Sequence, residues 1–214
     1  LLTLLNQLRP TSASLVPRPT FDIEDPAAIL SLARYAAGCL APIKSEHFVI
    51  RVSAVVGANS VGVRPKPYEY WPVDRLLHEG PQQFILLGEP GAGKSFAMRK
   101  AVNALATDLQ DACLRGELQP TMRIPISIDL KLYDGDLEGQ IDEVFSRGLS
   151  LDLLQAAFPT TLYVDGYNEM PRSFREDGSF DRQLHALLEA RPGLGLVIGS
   201  RTSRFRSGAI SSSG

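Results

Sequence analysis

Cysteines and long apolar runs are both scarce in this sequence. The two cysteines, Cys39 and Cys113, are far apart and match no metal-binding or redox spacing. Such usage is typical of a reducing, intracellular setting, in which we expect both thiols to be buried as small apolar groups. No apolar run approaches the roughly 18 residues that suggest a membrane span. Residues 1–5 also lack the basic start and the cleavage site of a signal peptide. We therefore expect a cytoplasmic protein with no membrane partner.

The sequence has no excess of basic residues. Its 214 residues include 22 Lys and Arg against 24 Asp and Glu, for a formal net charge of −2. The sequence therefore gives no signal for direct nucleic-acid binding. Hydrophobic residues make up 44% of the chain, which is enough for a folded core, and the length suits one α/β domain with a small appendage. Because the chain begins at Leu and ends in Ser-Ser-Ser-Gly, we expect it to be a piece of a larger protein.

Proline, glycine and serine positions divide the chain into segments. The segments are 1–20, a linker or docking arm; 21–70, a helix and hairpin appendage; 71–206, the core; and 207–214, a flexible tail. The appendage helix is expected to start at Asp25-Pro26, an N-cap candidate followed by proline. Residues 48–52 and 61–63 favour strands of the hairpin, and the prolines within 65–72 indicate a loop after it.

The core alternates between apolar β-type runs and helical patterns. Strands are predicted at 83–87, 121–128, 160–164 and 194–198, helices at 95–114, 137–147, 149–158 and 180–190, and a polar loop at 129–136. This alternation predicts an α/β fold in three layers, with a mainly parallel sheet covered on both faces. Pro125 indicates that its strand lies at an edge of the sheet. In such sheets, ligands bind beyond the carboxyl ends of the strands.

A glycine-rich segment joins the first core strand to the first core helix. It satisfies the P-loop pattern G-x-x-x-x-G-K-[ST] at every fixed position. Small residues let backbone N–H groups surround phosphates, Lys94 adds a positive charge, and Ser95 offers a hydroxyl to Mg²⁺. The predicted nucleotide-binding residues are Gly88, Glu89, Pro90, Gly91, Ala92, Gly93, Lys94, Ser95 and Phe96. The alternative is a glycine-rich turn that matches by chance.

Two acidic residues follow the strand at 160–164. Asp165, at its tip, is placed to hold the Mg²⁺ that Ser95 also contacts, and Glu169 is placed to polarise an attacking water as a general base. The alternative is an ordinary polar turn. Arg201 follows the last strand, where a cation can contact a terminal phosphate. Its alternative is a solvated surface charge. Lys94, Glu169 and Arg201 are the predicted catalytic residues.

These three motifs together resemble the NACHT branch of the STAND P-loop NTPases. Residues 88–95 match the Walker A motif of that family, residues 162–169 match its Walker B motif, and Gly199-Ser200-Arg201 matches its sensor position. The resemblance covers about residues 70–206. It implies a P-loop sheet in which the Walker A and Walker B strands flank the sensor strand.

The resemblance also implies a function. Members of this family bind ATP or ADP with Mg²⁺, hydrolyse ATP slowly and act as switches that oligomerise when activated. Bacterial relatives commonly serve in antiphage defence. Upstream effector and downstream sensor domains are expected partners in the longer protein. Two departures are Asn168, where the family has an acid, and the end of the chain soon after Arg201.

Three functions remain open at this point. The chain is an ATPase module of a signalling switch, a regulatory module that holds nucleotide with negligible turnover, or a small-molecule kinase. The kinase ranks lowest because no Arg-rich lid insertion is visible. ATP rather than GTP follows from the resemblance and from the missing Asn-Lys-x-Asp motif. Tyr68, Tyr70 and Trp71 are interpreted either as a wall of the adenine pocket or as packing residues, with packing favoured.

Overall fold

A computed structural model describes residues 21–40, 53–56, 69–72, 77, 83–145 and 148–201 of the chain. The predicted docking arm, tail and hairpin strands 48–52 and 61–63 lie outside these ranges. Within them, no helix has both the length and the apolar character needed to cross a bilayer.

The core is a four-stranded, all-parallel sheet. Its strands are β3 (Gln83–Leu87), β4 (Ile124–Asp129), β5 (Thr160–Asp165) and β6 (Gly195–Ser200), arranged in the order β3-β6-β5-β4. The register pairs Leu87 with Ser200 and Asp129 with Asp165. The carboxyl ends of all four strands therefore lie at one edge of the sheet, as predicted for a parallel arrangement.

Helices alternate with these strands along the chain. They are α1 (Pro26–Cys39), α2 (Lys94–Arg115), α3 (Leu137–Val144), α4 (Leu151–Ala157), α5 (Arg172–Glu176) and α6 (Ser179–Ala190). A 3-10 turn, Leu130–Leu132, follows β4. The α/β class predicted from the sequence is confirmed.

Apolar side chains alternate between two faces of the sheet. On β5, Leu162 and Val164 pack in the cluster that contains α3 and α6, whereas Tyr163 packs in the cluster that contains α2. Leu196 and Val197 divide in the same way on β6. This alternation is what a strand covered on both sides requires, since successive side chains point to opposite faces.

Helix α1 packs against α2 and reaches the sheet. It starts as predicted, with the Asp25 side chain accepting a hydrogen bond from Ala27 N at 2.9 Å. The Tyr35 hydroxyl donates to the carbonyl oxygen of Pro125 at 2.7 Å, in a buried position. Pro125 lies in β4, the terminal strand of the described sheet, as its proline predicts. At the other end of β4, Gln140 Nε2 donates to the Asp129 carbonyl at 3.0 Å.

Cys113 is buried and Cys39 partly so, and both thiols are free. Burial raises the pKa of each thiol, which keeps them uncharged at neutral pH. The expectation of buried, unpaired cysteines is therefore confirmed for Cys113 and only partly met for Cys39.

Some element boundaries differ from the predictions. Residues 69–72, predicted as a loop, form strand β2 (Glu69–Pro72), which pairs antiparallel with β1 (Ser53–Val56). The strand preference of Tyr70 and Trp71 prevails there over the prolines. Because the structure does not describe the β2 side chains, the adenine-wall and packing interpretations both stay predictions. The helix predicted over 137–147 ends at Val144, and the loop predicted over 129–136 contains a 3-10 turn.

Candidate functional site

A cleft of about 300 Å³ opens at the carboxyl ends of β3, β5 and β6. Its walls are formed by Pro90, Gly91, Gly93, Lys94, Ser95, Phe96, Asp165, Gly166, Tyr167, Asn168, Glu169, Gly199 and Arg201. Lys94, Asp165 and Arg201 come from three separate motifs, each of which was predicted to contact a bound nucleotide or its Mg²⁺. They line the same cleft.

The glycine-rich loop connects β3 to α2 and forms one wall of the cleft. Gly88 N donates to the Ser200 carbonyl at 3.2 Å, which fixes the start of the loop to the end of β6. Gly93 has φ of 81°, a left-handed conformation that favours glycine, and it immediately precedes α2. The loop therefore turns sharply into the N-terminus of a 22-residue helix, where backbone N–H groups favour an anion.

The Lys94 side chain folds back over this loop. Its Nζ donates to the carbonyl oxygens of Gly88 at 2.7 Å and Glu89 at 3.0 Å. Burial lowers the pKa of Lys94, and the positive charge of Arg201 acts in the same direction. Asp165, Glu89 and Glu169 partly oppose this shift. A bound anion would relieve the repulsion between the two cations, so the wall is suited to negatively charged ligands.

Ser95 and Asp165 join the glycine-rich loop to β5. Ser95 Oγ donates to Asp165 Oδ1 at 3.0 Å, although the two residues are 70 positions apart in the sequence. Hydroxyl and carboxylate oxygens are donors that Mg²⁺ accepts, and this ion commonly takes only one or two protein ligands beside phosphate oxygens. Among the described residues, no group of three or more His, Cys, Asp and Glu side chains is arranged to hold a metal. The pair therefore fits a phosphate-bound Mg²⁺ better than a metal centre built from protein ligands alone.

The turn after β5 directs Glu169 to the cleft. Glu169 N and Met170 N both donate to the Gly166 carbonyl, at 2.7 and 3.0 Å. Gly166 has φ of 76°, and a β-carbon at this position would lie 2.8 Å from Asp129 Oδ1. Glycine thus satisfies both the conformation and the space beside β4, which accounts physically for a small residue directly after Asp165.

Glu169 forms ion pairs with two cations. Lys131 Nζ lies 2.8 Å from Glu169 Oε2, and an Arg201 guanidinium nitrogen lies 3.9 Å from Glu169 Oε1. The hydrogen bond from Lys131 is the largest cause that holds the pKa of Glu169 below its usual value, and the charges of Arg201 and Lys94 add to it. Glu169 is therefore ionised at neutral pH, as a general base must be.

Lys131 is not among the site residues predicted from the sequence. It lies in the 3-10 turn after β4, within the segment that was interpreted only as a polar loop. A signal was present, since the same rule that singled out Asp165 and Arg201 applies to residues beyond the carboxyl end of β4.

Asn168 connects two loops of the site. Its Nδ2 donates to the buried Ser200 Oγ at 3.1 Å, and its carbonyl oxygen accepts a hydrogen bond from Arg175 at 2.7 Å. Asn168 Oδ1 is buried and has no hydrogen-bond partner among the described residues. These contacts make Asn168 a brace between the turn after β5 and the end of β6.

Most of the predicted site residues line the cleft. The exceptions are Gly88, Glu89 and Ala92, which shape the loop through backbone bonds; Ala92 N, for example, donates to the Glu89 carbonyl at 3.1 Å. The binding and catalytic roles of all these residues stay predictions. Arg204 and Arg206, near Arg201 in sequence, lie outside the described residues.

A second cavity, of about 360 Å³, lies beside β4, and its charged lining residues are all acidic. Its walls include Asp129, Asp134, Asp136 and Glu143. Four carboxylates without a cation would repel a phosphate group, whereas the cleft at the strand ends balances Asp165 and Glu169 with Lys94 and Arg201. Chemistry therefore selects the smaller cavity as the candidate site for an anionic ligand.

Comparison with known proteins assigns the chain to no family. What the cleft binds is therefore inferred from the residues that line it. Neither a scan against protein-family models nor a search of curated proteins gives a match for this chain.

Proposed function

We propose that the cleft binds ATP or ADP together with Mg²⁺, and that the chain hydrolyses ATP slowly. One observation carries this proposal. Lys94, the Ser95–Asp165 pair, Glu169 and Arg201 belong to three sequence motifs, yet they line a single cleft at the ends of adjacent strands. A phosphate-binding wall, an oxygen pair suited to Mg²⁺, a carboxylate base and a second cation are the groups that phosphoryl transfer to water needs.

The glycine-rich loop and Lys94 form the phosphate side of the proposed site. Backbone N–H groups of the loop and of the first turn of α2 donate to phosphate oxygens. The Lys94 ammonium exchanges its bonds to the Gly88 and Glu89 carbonyls for phosphate oxygens, which are stronger acceptors because they are charged. Arg201, which directly follows β6, contacts the terminal phosphate.

Ser95 and Asp165 are the residues that would hold Mg²⁺. Their oxygens lie 3.0 Å apart and present the hard donors this ion prefers. When bound, the ion would neutralise part of the negative charge on the phosphates. Glu169 accepts the proton of the water that attacks the terminal phosphate, and its ionised state fits this role.

The wider setting is also part of this proposal. The strand order places β6, which ends at Ser200, between β3 and β5, and the resemblance to NACHT-type STAND NTPases implies the same order. We propose a cytoplasmic switch module of a larger signalling protein, which oligomerises when activated. Defence against phage is the setting that the resemblance favours.

A nucleotide-holding module with negligible turnover is the second candidate. Two observations favour it. Glu169 is engaged by Lys131 at 2.8 Å, and Asn168 contacts Ser200, where the resembled family has a second acid. Both features lower the negative charge available to activate water.

Calorimetry of ATP binding to the Lys94→Ala variant tests the proposal. Loss of the charged contacts removes roughly 1.5–3 kcal/mol, so we expect affinity to fall by about 10- to 100-fold. Lys100→Ala, which changes an exposed lysine of the same helix, is the matched control and should bind as the wild type does. Equal affinities for all three proteins would contradict the proposal.

Phosphate release with Mg²⁺ then separates the two candidates. Glu169→Gln removes the proposed base and keeps the side-chain size, so the ATPase requires slower release from this variant than from the wild type. Equal release from both proteins would favour the module that only holds nucleotide.

A further inference from the structure

Lys131 approaches the cleft from a strand that carries none of the predicted motifs. The 3-10 turn Leu130–Leu132 begins where β4 ends, and Asp129 Oδ1 accepts a hydrogen bond from Lys131 N at 3.0 Å. This bond fixes the backbone of Lys131 beside the turn after β5. The lysine side chain contacts Oε2 of Glu169, a residue that lines the cleft, whereas Arg201 lies nearest to Oε1 of the same carboxylate.

The two cations hold Glu169 unequally. Lys131 makes a direct contact at 2.8 Å, whereas Arg201 lies at 3.9 Å, near the limit of an ion pair. The Lys131 and Glu169 side chains are 56% and 43% exposed. An ion pair with this much solvent access is weak and exchanges readily with another charged group.

The surroundings of the pair are rich in charge. Lys131, Arg201 and Lys94 influence Glu169, and Asp129 and Asp165 influence Lys131. A nucleoside triphosphate places about two negative charges on its terminal phosphate, against one on Glu169. That phosphate is therefore the stronger competitor for the Lys131 ammonium.

We propose that Lys131 is a positioning residue that holds Glu169 until a nucleoside triphosphate binds, and then transfers to its terminal phosphate, releasing the carboxylate. This inference rests on the proposed nucleotide function. A diphosphate lacks the terminal group, so its binding leaves the Lys131–Glu169 pair intact. Lys131 thereby helps the cleft to distinguish triphosphate from diphosphate, and the base is released only when there is a phosphate to attack.

Affinities for ATP and ADP in the presence of Mg²⁺ test the transfer. We expect Lys131→Met to weaken ATP binding about tenfold and to change ADP binding less than twofold, because only ATP engages this lysine. Lys131→Arg should restore most of the ATP affinity, since it keeps the charge. Lys100→Met, on the exposed side of α2, is the matched control and should leave both affinities unchanged.

The outcomes separate this inference from the function on which it rests. If the wild type binds ATP and Lys131→Met weakens ATP and ADP equally, or weakens neither, the inference is wrong and the nucleotide function stands. If the wild type binds neither nucleotide, the proposed function fails, and the inference fails with it.

Carboxyl NMR of the nucleotide-free protein supplies a second readout. Removing the cation in Lys131→Met should raise the pKa of Glu169, whereas Lys100→Met should not. A Glu169 titration that is the same in all three proteins would show that the pair does not form in solution, and would overturn the inference even if both nucleotides bind.

Discussion

Replacing Gly166 with alanine tests how the turn after β5 is built. Gly166 has φ of 76°, and an L-residue in this region costs about 1 kcal/mol or more. The new β-carbon would also lie 2.8 Å from Asp129 Oδ1, closer than van der Waals contact allows. Asp129 cannot withdraw freely, because the same oxygen accepts the hydrogen bond from Lys131 N at 3.0 Å. Losing that bond costs about 1 kcal/mol more, so we expect a total loss near 2–3 kcal/mol.

Gly116→Ala is the control for the conformational part of this cost. Gly116 ends α2 with φ of 68°, and a β-carbon there would meet nothing within 4 Å. Its substitution should therefore cost only the strain of the left-handed conformation, about 1 kcal/mol. The difference between the two variants isolates the clash with Asp129.

Urea unfolding of the chain, followed by circular dichroism, measures both losses as free energies of unfolding. Gly166→Ala should be the less stable variant by about 1–2 kcal/mol. If both variants lose the same amount, the turn accommodates a side chain, and the argument that Gly166 is required beside Asp129 is wrong.

Two further predictions concern stability. Tyr35→Phe should lose about 1–2 kcal/mol, because the Pro125 carbonyl loses its buried donor. Tyr133→Phe, whose hydroxyl has no partner among the described residues, should lose almost nothing in the same urea assay, and equal losses would contradict the reasoning. Lys131 holds the pKa of Glu169 below its usual 4.5, so the stabilisation is present above that pH and is lost as the pH falls through the folded-state pKa. Lys131→Met should therefore lose less stability between about pH 5 and 3 than the wild type, and parallel losses would count against the pair.

The sequence anticipated the parts of the fold that depend on regular patterns. Strand β5 was predictable because Leu162, Tyr163 and Val164 form an apolar, β-rich run, and the rule that polar residues gather beyond parallel strands anticipated that Asp165 and Arg201 would meet. Glycine spacing likewise predicted the loop before α2. These features are local, because residues within a short segment of the sequence are enough to predict them.

The features that were missed depend on contacts between distant segments. The helix ending at Val144 stops because Phe145 is extended and packs against Tyr35, with ring centroids 5.3 Å apart. Lys131 pairs with Glu169, which is 38 positions along the chain, and no local pattern announces that contact. Strand β2 forms by antiparallel pairing with β1, whereas its own prolines favour a loop when the sequence is read locally.

The outer edge of β4 is partly blocked against pairing with a strand of another copy of the chain. The N–H of Ile124 donates to the carbonyl oxygen of Pro159, just before β5. Because backbone groups alternate in direction along a strand, those of Pro125 and Asp129 point to the outer side of β4, away from β5. Proline has no N–H to offer an incoming strand, its carbonyl is occupied by Tyr35, and the Asp129 carbonyl is occupied by Gln140. A strand from another molecule therefore cannot form regular hydrogen bonds to the backbone of Pro125 or to the carbonyl of Asp129, which disfavours edge-to-edge aggregation at β4.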